Sequence, residues 1–143
     1  MILDKETLFS LDQKVTASAE SESIIDLSPI MGEFRDVGIG EPLTLFIQAS
    51  ETAAAADDVT VQFVLETART KDFANPHVMF QSDAKPVAKL VAGERISAVI
   101  PEGSQRYMRL RYVVANGSLT AGSFTAGINL TVDAHPIYPV VSQ

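Results

Sequence analysis

The sequence predicts an all-β protein: an antiparallel β-sandwich of jelly-roll or related type, with about eight strands and an extended N-terminal arm. Three observations predict it. Apolar and polar residues alternate with period two in several short runs. Side chains on a strand point to opposite faces in turn, so each such run has one buried and one wet face. Clusters of Gly, Pro, Asn, Asp and Ser separate the runs. Little of the chain reads as helix.

Asp4 caps a short helical turn over Lys5–Phe9. Lys14–Ser23 is polar and without sustained period, so residues 1–23 read as an arm or as the first edge segment, with 24–143 as the sandwich domain. Ser23–Leu27 reads as a short strand, broken by Ser28-Pro29-Ile30-Met31-Gly32. Arg35-Asp36-Val37-Gly38-Ile39-Gly40-Glu41-Pro42 is a turn-rich connector. Leu43–Ala49 is a strand, and Phe46 opposite Leu43, Leu45 and Ile47 implies that its second face is also partly covered. Ser50–Asp58 reads as a loop, because the Ala53–Ala56 run is too short for an independent helix. Val59–Thr67 alternates cleanly, with Val59, Val61, Phe63 and Leu65 on one face. Val78–Gln81, Val87–Val91 and Arg95–Ile100 are strand candidates. Arg106–Asp133 reads as a hairpin around Ala115-Asn116-Gly117-Ser118, and His135–Gln143 as an extended tail along a sheet edge.

The 143 residues suffice for one domain with a core, and 46% apolar content argues against disorder. There is no cysteine, which excludes disulfides, thiolate metal sites and thiol nucleophiles. The net charge of −7 argues against direct binding to nucleic acid, which needs clustered Lys and Arg. Charges in Met1–Glu6 interrupt the apolar run that a signal peptide needs, and no stretch is long and apolar enough for a membrane helix. The expected site of synthesis is the cytoplasm, with no membrane partner.

The residues that carry chemistry elsewhere are sparse. His77 follows Pro76 and His135 precedes Pro136, so both are expected in loops, far apart, with no metal-ligand spacing. Asp57-Asp58 has too few oxygen-bearing neighbours for a calcium site. No serine lies in a Gly-x-Ser-x-Gly elbow, and Gly38-Ile39-Gly40 lacks the third glycine and following helix of a phosphate loop. No catalytic residue, metal or cofactor is expected. One polar set stands out. If Met108, Leu110, Tyr112 and Val114 face the core, Tyr107, Arg109 and Arg111 share the outer face. Two readings stay open. Arg and Tyr are enriched in protein interfaces, which makes the strip a candidate contact face. Alternatively, it is a solvated sheet face whose arginines pair with neighbouring carboxylates.

Three blocks together resemble the small capsid cement proteins of tailed bacteriophages, the Bbp16-type family. The first is Met1-Ile2-Leu3-Asp4-Lys5 through Leu8-Phe9-Ser10. The second is Ile25-Asp26-Leu27 followed by Arg35-Asp36-Val37-Gly38-Ile39-Gly40-Glu41-Pro42-Leu43. The third is Leu90-Val91-Ala92-Gly93-Glu94, then Ile100-Pro101, Arg106-Tyr107-Met108-Arg109-Leu110-Arg111-Tyr112 and Thr125-Ala126-Gly127-Ile128. They span nearly the whole chain in order; Asp72–Pro86 does not fit the pattern closely. The resemblance implies a non-enzymatic β-sandwich that forms a homotrimer on the outer capsid surface of the virion. There it would sit at three-fold and quasi-three-fold positions and bridge copies of the major capsid protein. It offers no catalytic residues to carry over. Contact candidates are then Leu8 and Phe9 on the N-terminal segment, and Tyr107, Arg109 and Arg111. The competing class is a carbohydrate- or receptor-binding sandwich, favoured only by Tyr107 beside two arginines.

Overall fold

The computed structural model describes residues 2–28 and 35–132. The strands are β1 (Leu8–Lys14), β2 (Ala19–Glu20), β3 (Ile25–Asp26), β4 (Thr44–Ala55), β5 (Thr60–Ala68), β6 (His77–Gln81), β7 (Lys85–Pro86), β8 (Arg95–Val99), β9 (Tyr107–Ala115) and β10 (Leu119–Asn129). All pairings are antiparallel. One sheet runs β1-β10-β4-β8 and the other β2-β9-β5-β6. Short β3 also pairs with β9, and short β7 with β5. Because β5 occupies one side of β9 along its length, β2 and β3 share the other side and count as one strand position. By the same reasoning β6 and β7 share one position on β5. Each sheet therefore has four positions, and the chain alternates between sheets except from β5 to β6. That is a jelly-roll winding, one of the sandwich types the sequence leaves open.

The inner faces meet in one core. Phe63 of β5, Tyr112 of β9 and Phe124 of β10 form its centre, with ring centroids 5.4–5.8 Å apart. Phe63 meets both partners edge-on, while Tyr112 and Phe124 stack at 24°. The Tyr112 hydroxyl is buried, so it needs a partner. It donates to Ser10 Oγ at 2.8 Å, and Ser10 donates to Gln13 Oε1 at 2.6 Å. Gln13 also accepts from the Glu22 amide and donates to the Glu20 carbonyl. Burial pushes the Tyr112 hydroxyl well above its ordinary pKa, so it stays a donor.

Four local expectations are corrected. First, β9 and β10 are not a hairpin, because they lie in opposite sheets. Alternation fits two strands that pair side by side and two that face each other across a core. These two do the second, through Tyr112 and Phe124. Asn116 and Gly117, both at positive φ, carry the chain from sheet to sheet. Asn116 Nδ2 donates to the Asp58 carbonyl in the neighbouring β4–β5 crossing. The outer face of β10 is also drier than predicted: Thr125 is buried, and its hydroxyl accepts from the Asp12 amide. Second, Ser50–Ala55 continue β4 where the loop Ser50–Asp58 was expected, since β10 pairs with Glu51, Ala54 and Ala55 and overrides the weak strand preference of this stretch. Third, no strand forms over Val87–Val91: Val87–Lys89 is a 3-10 turn, and the short pairing with β5 falls just before it, at Lys85–Pro86. Fourth, His77 opens β6 opposite Thr67 and is not in a loop. Phe46 is buried on the outer face of its sheet, as the Leu43–Ala49 pattern implies. Asp133, the tail 135–143 with His135, and most of the predicted break at 28–32 lie outside the described residues.

The N-terminal segment is part of the sandwich. Asp4 Oδ1 accepts from the Glu6 amide and caps a turn at Lys5–Thr7, shorter than the predicted Lys5–Phe9. β1 then forms the edge of the first sheet, with Phe9 and Val15 in the core. β2 and β3 pass to the second sheet, so removal of residues 1–23 would take core side chains with it.

The Arg35–Pro42 connector is clasped to the turn after β8. Asp36 accepts from the Gly38 amide at 3.0 Å, the Gly103 amide at 2.8 Å, and both the amide and the hydroxyl of Ser104. Ser104 Oγ in turn accepts from the Val37 amide. Burial alone would raise the Asp36 pKa, but these donors outweigh it and hold the carboxyl below the usual value of 3.8. Its stabilising contribution is therefore complete above that value and is lost as pH falls through the lower folded value. Asp36→Asn is expected to reduce stability at neutral pH and to lessen the further loss below about pH 4; denaturation midpoints across that range check it. Gly38 lies so close to the same turn that an added Cβ would sit 2.1 Å from the Pro101 carbonyl oxygen. That atom is backbone and cannot step aside. Gly38→Ala is expected to cost about 2–3 kcal/mol in chemical denaturation.

Candidate functional site

The outer face of the second sheet carries a charged cluster built across three strands. Glu66 of β5 stands directly opposite Arg109 of β9, and Glu20 of β2 directly opposite Arg111. Arg109 Nε lies 2.9 Å from Glu66 Oε2, and Arg111 Nη2 lies 2.8 Å from Glu66 Oε1. Arg109 Nη1 reaches Glu20 Oε1 at 2.7 Å. One carboxylate thus bridges two guanidinium groups, and one guanidinium bridges two carboxylates. Such charge-assisted contacts are stronger than neutral hydrogen bonds.

The loop after β5 covers this cluster. Phe73 takes a left-handed backbone, φ 51°, and is buried. The Arg109 guanidinium lies 4.3 Å from its ring centroid. Asp72 shapes the loop by accepting from Thr70 Oγ1 and the Ala74 amide, donors that hold its carboxyl below the usual range. Glu66 is only 2% exposed as a result. The side chain of Arg109 is 13% exposed and that of Arg111 42%. Arg111 Nε is buried without a hydrogen-bond partner among the described residues.

At the edge of the cluster, Arg106 holds Asp26 through two nitrogens, at 3.1 and 3.2 Å. That contact keeps the Asp26 carboxyl below the usual range. Arg106 also lies 4.9 Å from the ring centroid of Tyr107.

The predicted contact residues separate accordingly. Tyr107, Arg109 and Arg111 share the outer face of β9. Leu8 is buried on the first sheet, where its Cδ2 would lie 2.9 Å from a Cβ on Gly127, and Phe9 is in the core. The structure therefore does not bring Leu8 and Phe9 to the arginine strip. Sequence reasoning missed Glu66, Glu20 and Phe73. An acidic residue on the outer phase of the β5 alternation was a visible signal for Glu66. Nothing local marked Phe73, because its position depends on how the loop folds back. Among the described residues, no group of three or more His, Asp or Glu comes together to hold a metal ion.

The fold and this face define a jelly-roll sandwich with an internally paired, charged outer surface. A family model matches residues 9–128, which takes in every strand from Phe9 through Ile128. The chain belongs to the Bbp16 family, a phage-associated family. No curated protein matches it significantly.

Proposed function

We propose that the chain is a capsid decoration, or cement, protein of a bacteriophage. In this reading it acts by binding, without catalysis. It forms a homotrimer on the outer surface of the virion, at three-fold and quasi-three-fold positions, and bridges neighbouring copies of the major capsid protein. The observation that carries the proposal is membership of a phage-associated family across residues 9–128. The charged face of β9 supports it: a preorganised surface loses little conformational freedom when it docks. Arg111, whose side chain is 42% exposed, and the half-buried Tyr107 are the members of the strip that this reading assigns to contact with a shell protein.

A protein that binds the assembled shell and not its free subunits stabilises the shell by mass action. Three copies acting together add avidity, so each contact can be modest. The test is to mix the purified protein with undecorated capsids and image the product. Added density at three-fold and quasi-three-fold positions, with a rise in the temperature of capsid disruption, is the expected result. Capsids left bare overturn the proposal, and saturable sugar binding without capsid association replaces it with the carbohydrate-binding reading.

A further inference from the structure

The loop between β5 and β6 is held in a costly shape. Among the described residues, those other than glycine with positive φ are Asp12, Asp58, Phe73 and Asn116. Asp and Asn visit the left-handed region readily, because their short polar side chains bond the local backbone. A bulky ring does not. Such an outlier persists only where its surroundings enforce it, and outliers of this kind cluster at functional sites. Three contacts enforce it here. The Phe73 ring is buried against the Arg109 guanidinium, the Phe73 amide donates to the Thr70 carbonyl at 3.1 Å, and Asp72 accepts from both Thr70 and Ala74.

The loop so held walls a small polar pocket of about 330 Å³, lined by Arg69, Thr70, Asn75 and Gln105. The opposite wall is fixed as well. The Gln105 amide donates to Thr67 Oγ1 at 2.8 Å, and Thr67 Oγ1 donates to the Tyr107 carbonyl at 2.9 Å. Ala68 pairs with Tyr107, so Arg69 follows at the end of β5 where Arg106 precedes β9. Arg106, Arg109 and Arg111 each hold a carboxylate. Arg69 holds none among the described residues, and the side-chain amides of Asn75 and Gln105 have no hydrogen-bond partner among them either. Nearby carboxylates are engaged: Asp26 with Arg106, and Asp72 with Thr70 and Ala74. Four polar residues, one cationic and none acidic, thus line one pocket. A guanidinium fork and amide N–H groups match the two acceptor oxygens of a carboxylate. One guanidinium also balances one carboxylate charge, whereas a phosphate group carries nearly two.

We propose that this pocket takes the carboxylate of an Asp or Glu side chain on the protein against which the chain docks. It lies at the Tyr107 end of β9, continuous with the charged face. This deepens the decoration reading above and rests on it for the identity of the partner.

The test has two arms, both on the full chain. In the first, isotope-labelled protein is titrated with sodium acetate, and separately with inorganic phosphate, at constant ionic strength. Acetate is expected to shift the nuclear magnetic resonance signals of Arg69 Nε and of the Asn75 and Gln105 side-chain amides together, and Arg69→Gln is expected to abolish the shift. No movement, movement that survives Arg69→Gln, or movement with phosphate alone overturns the proposal. In the second arm, wild type and Arg69→Glu are mixed with undecorated capsids. Arg69 is exposed, so the variant is expected to keep the wild-type circular dichroism. It is expected to bind capsids at least about tenfold more weakly, because it sets like charges against each other. Equal binding by a folded Arg69→Glu overturns the pocket as a contact while leaving the decoration reading in place. Capsids left bare by the wild type overturn the decoration reading, and the acetate titration then still decides whether the pocket holds a carboxylate.

Discussion

Replacing Glu66 with Ala is expected to lower stability by about 3 kcal/mol, measured as a fall in the chemical denaturation midpoint. The carboxylate is buried and serves both Arg109 and Arg111. Without it, Arg109 keeps Glu20 and the Phe73 ring but stays largely out of water with half of its compensation gone. Arg111 can turn its half-exposed tip to solvent, so Arg109 dominates the cost. The paired change Glu66→Met with Arg109→Met is expected to recover most of the loss, since apolar residues of similar volume replace a buried ion pair at little net cost. A loss below about 1 kcal/mol for Glu66→Ala would show that water already screens the cluster.

Phe124→Ala is expected to cost about 4 kcal/mol and to lower the thermal midpoint by roughly 10 °C. Phe124 is fully buried and touches two rings of the opposite sheet, Phe63 and Tyr112. Its removal leaves a cavity where, among the described residues, the sheets meet ring to ring. Near-ultraviolet circular dichroism is expected to weaken with it. Phe124→Leu, which keeps most of the volume, is expected to cost less than half as much. Equal losses for the two variants would mean that ring contacts, not volume, hold the sheets together.

The architecture was legible in the sequence because period two reports burial directly. Val59, Val61, Phe63 and Leu65 alternate because one face of β5 is core, and they are buried as predicted. Alternation says nothing about which strand lies alongside, so β9 and β10 looked like a hairpin. The turn chemistry of Asn116-Gly117 serves a crossing between sheets as well as it serves a hairpin. Ser50–Ala55 look like loop for a related reason: their strand character comes from the partner β10 and not from their own preference. At the charged face, the arginines and their shared side of the strand were readable, and pairing with neighbouring carboxylates was one of two open readings. Which carboxylates answered them was not readable, because that depends on the register of β5 and β2 against β9.

The pairing of the first sheet sets the timing of folding. β10, the last described strand, lies between β1 and β4, and Leu8 pairs with Gly127. Neither neighbour has its partner until residues near 127 have left the ribosome. A nascent chain can therefore close none of this sheet early except the β4–β8 edge. High contact order of this kind slows folding and leaves open strand edges exposed while synthesis runs. Prematurely terminated chains should consequently aggregate or be degraded, leaving only completed chains in the folded pool.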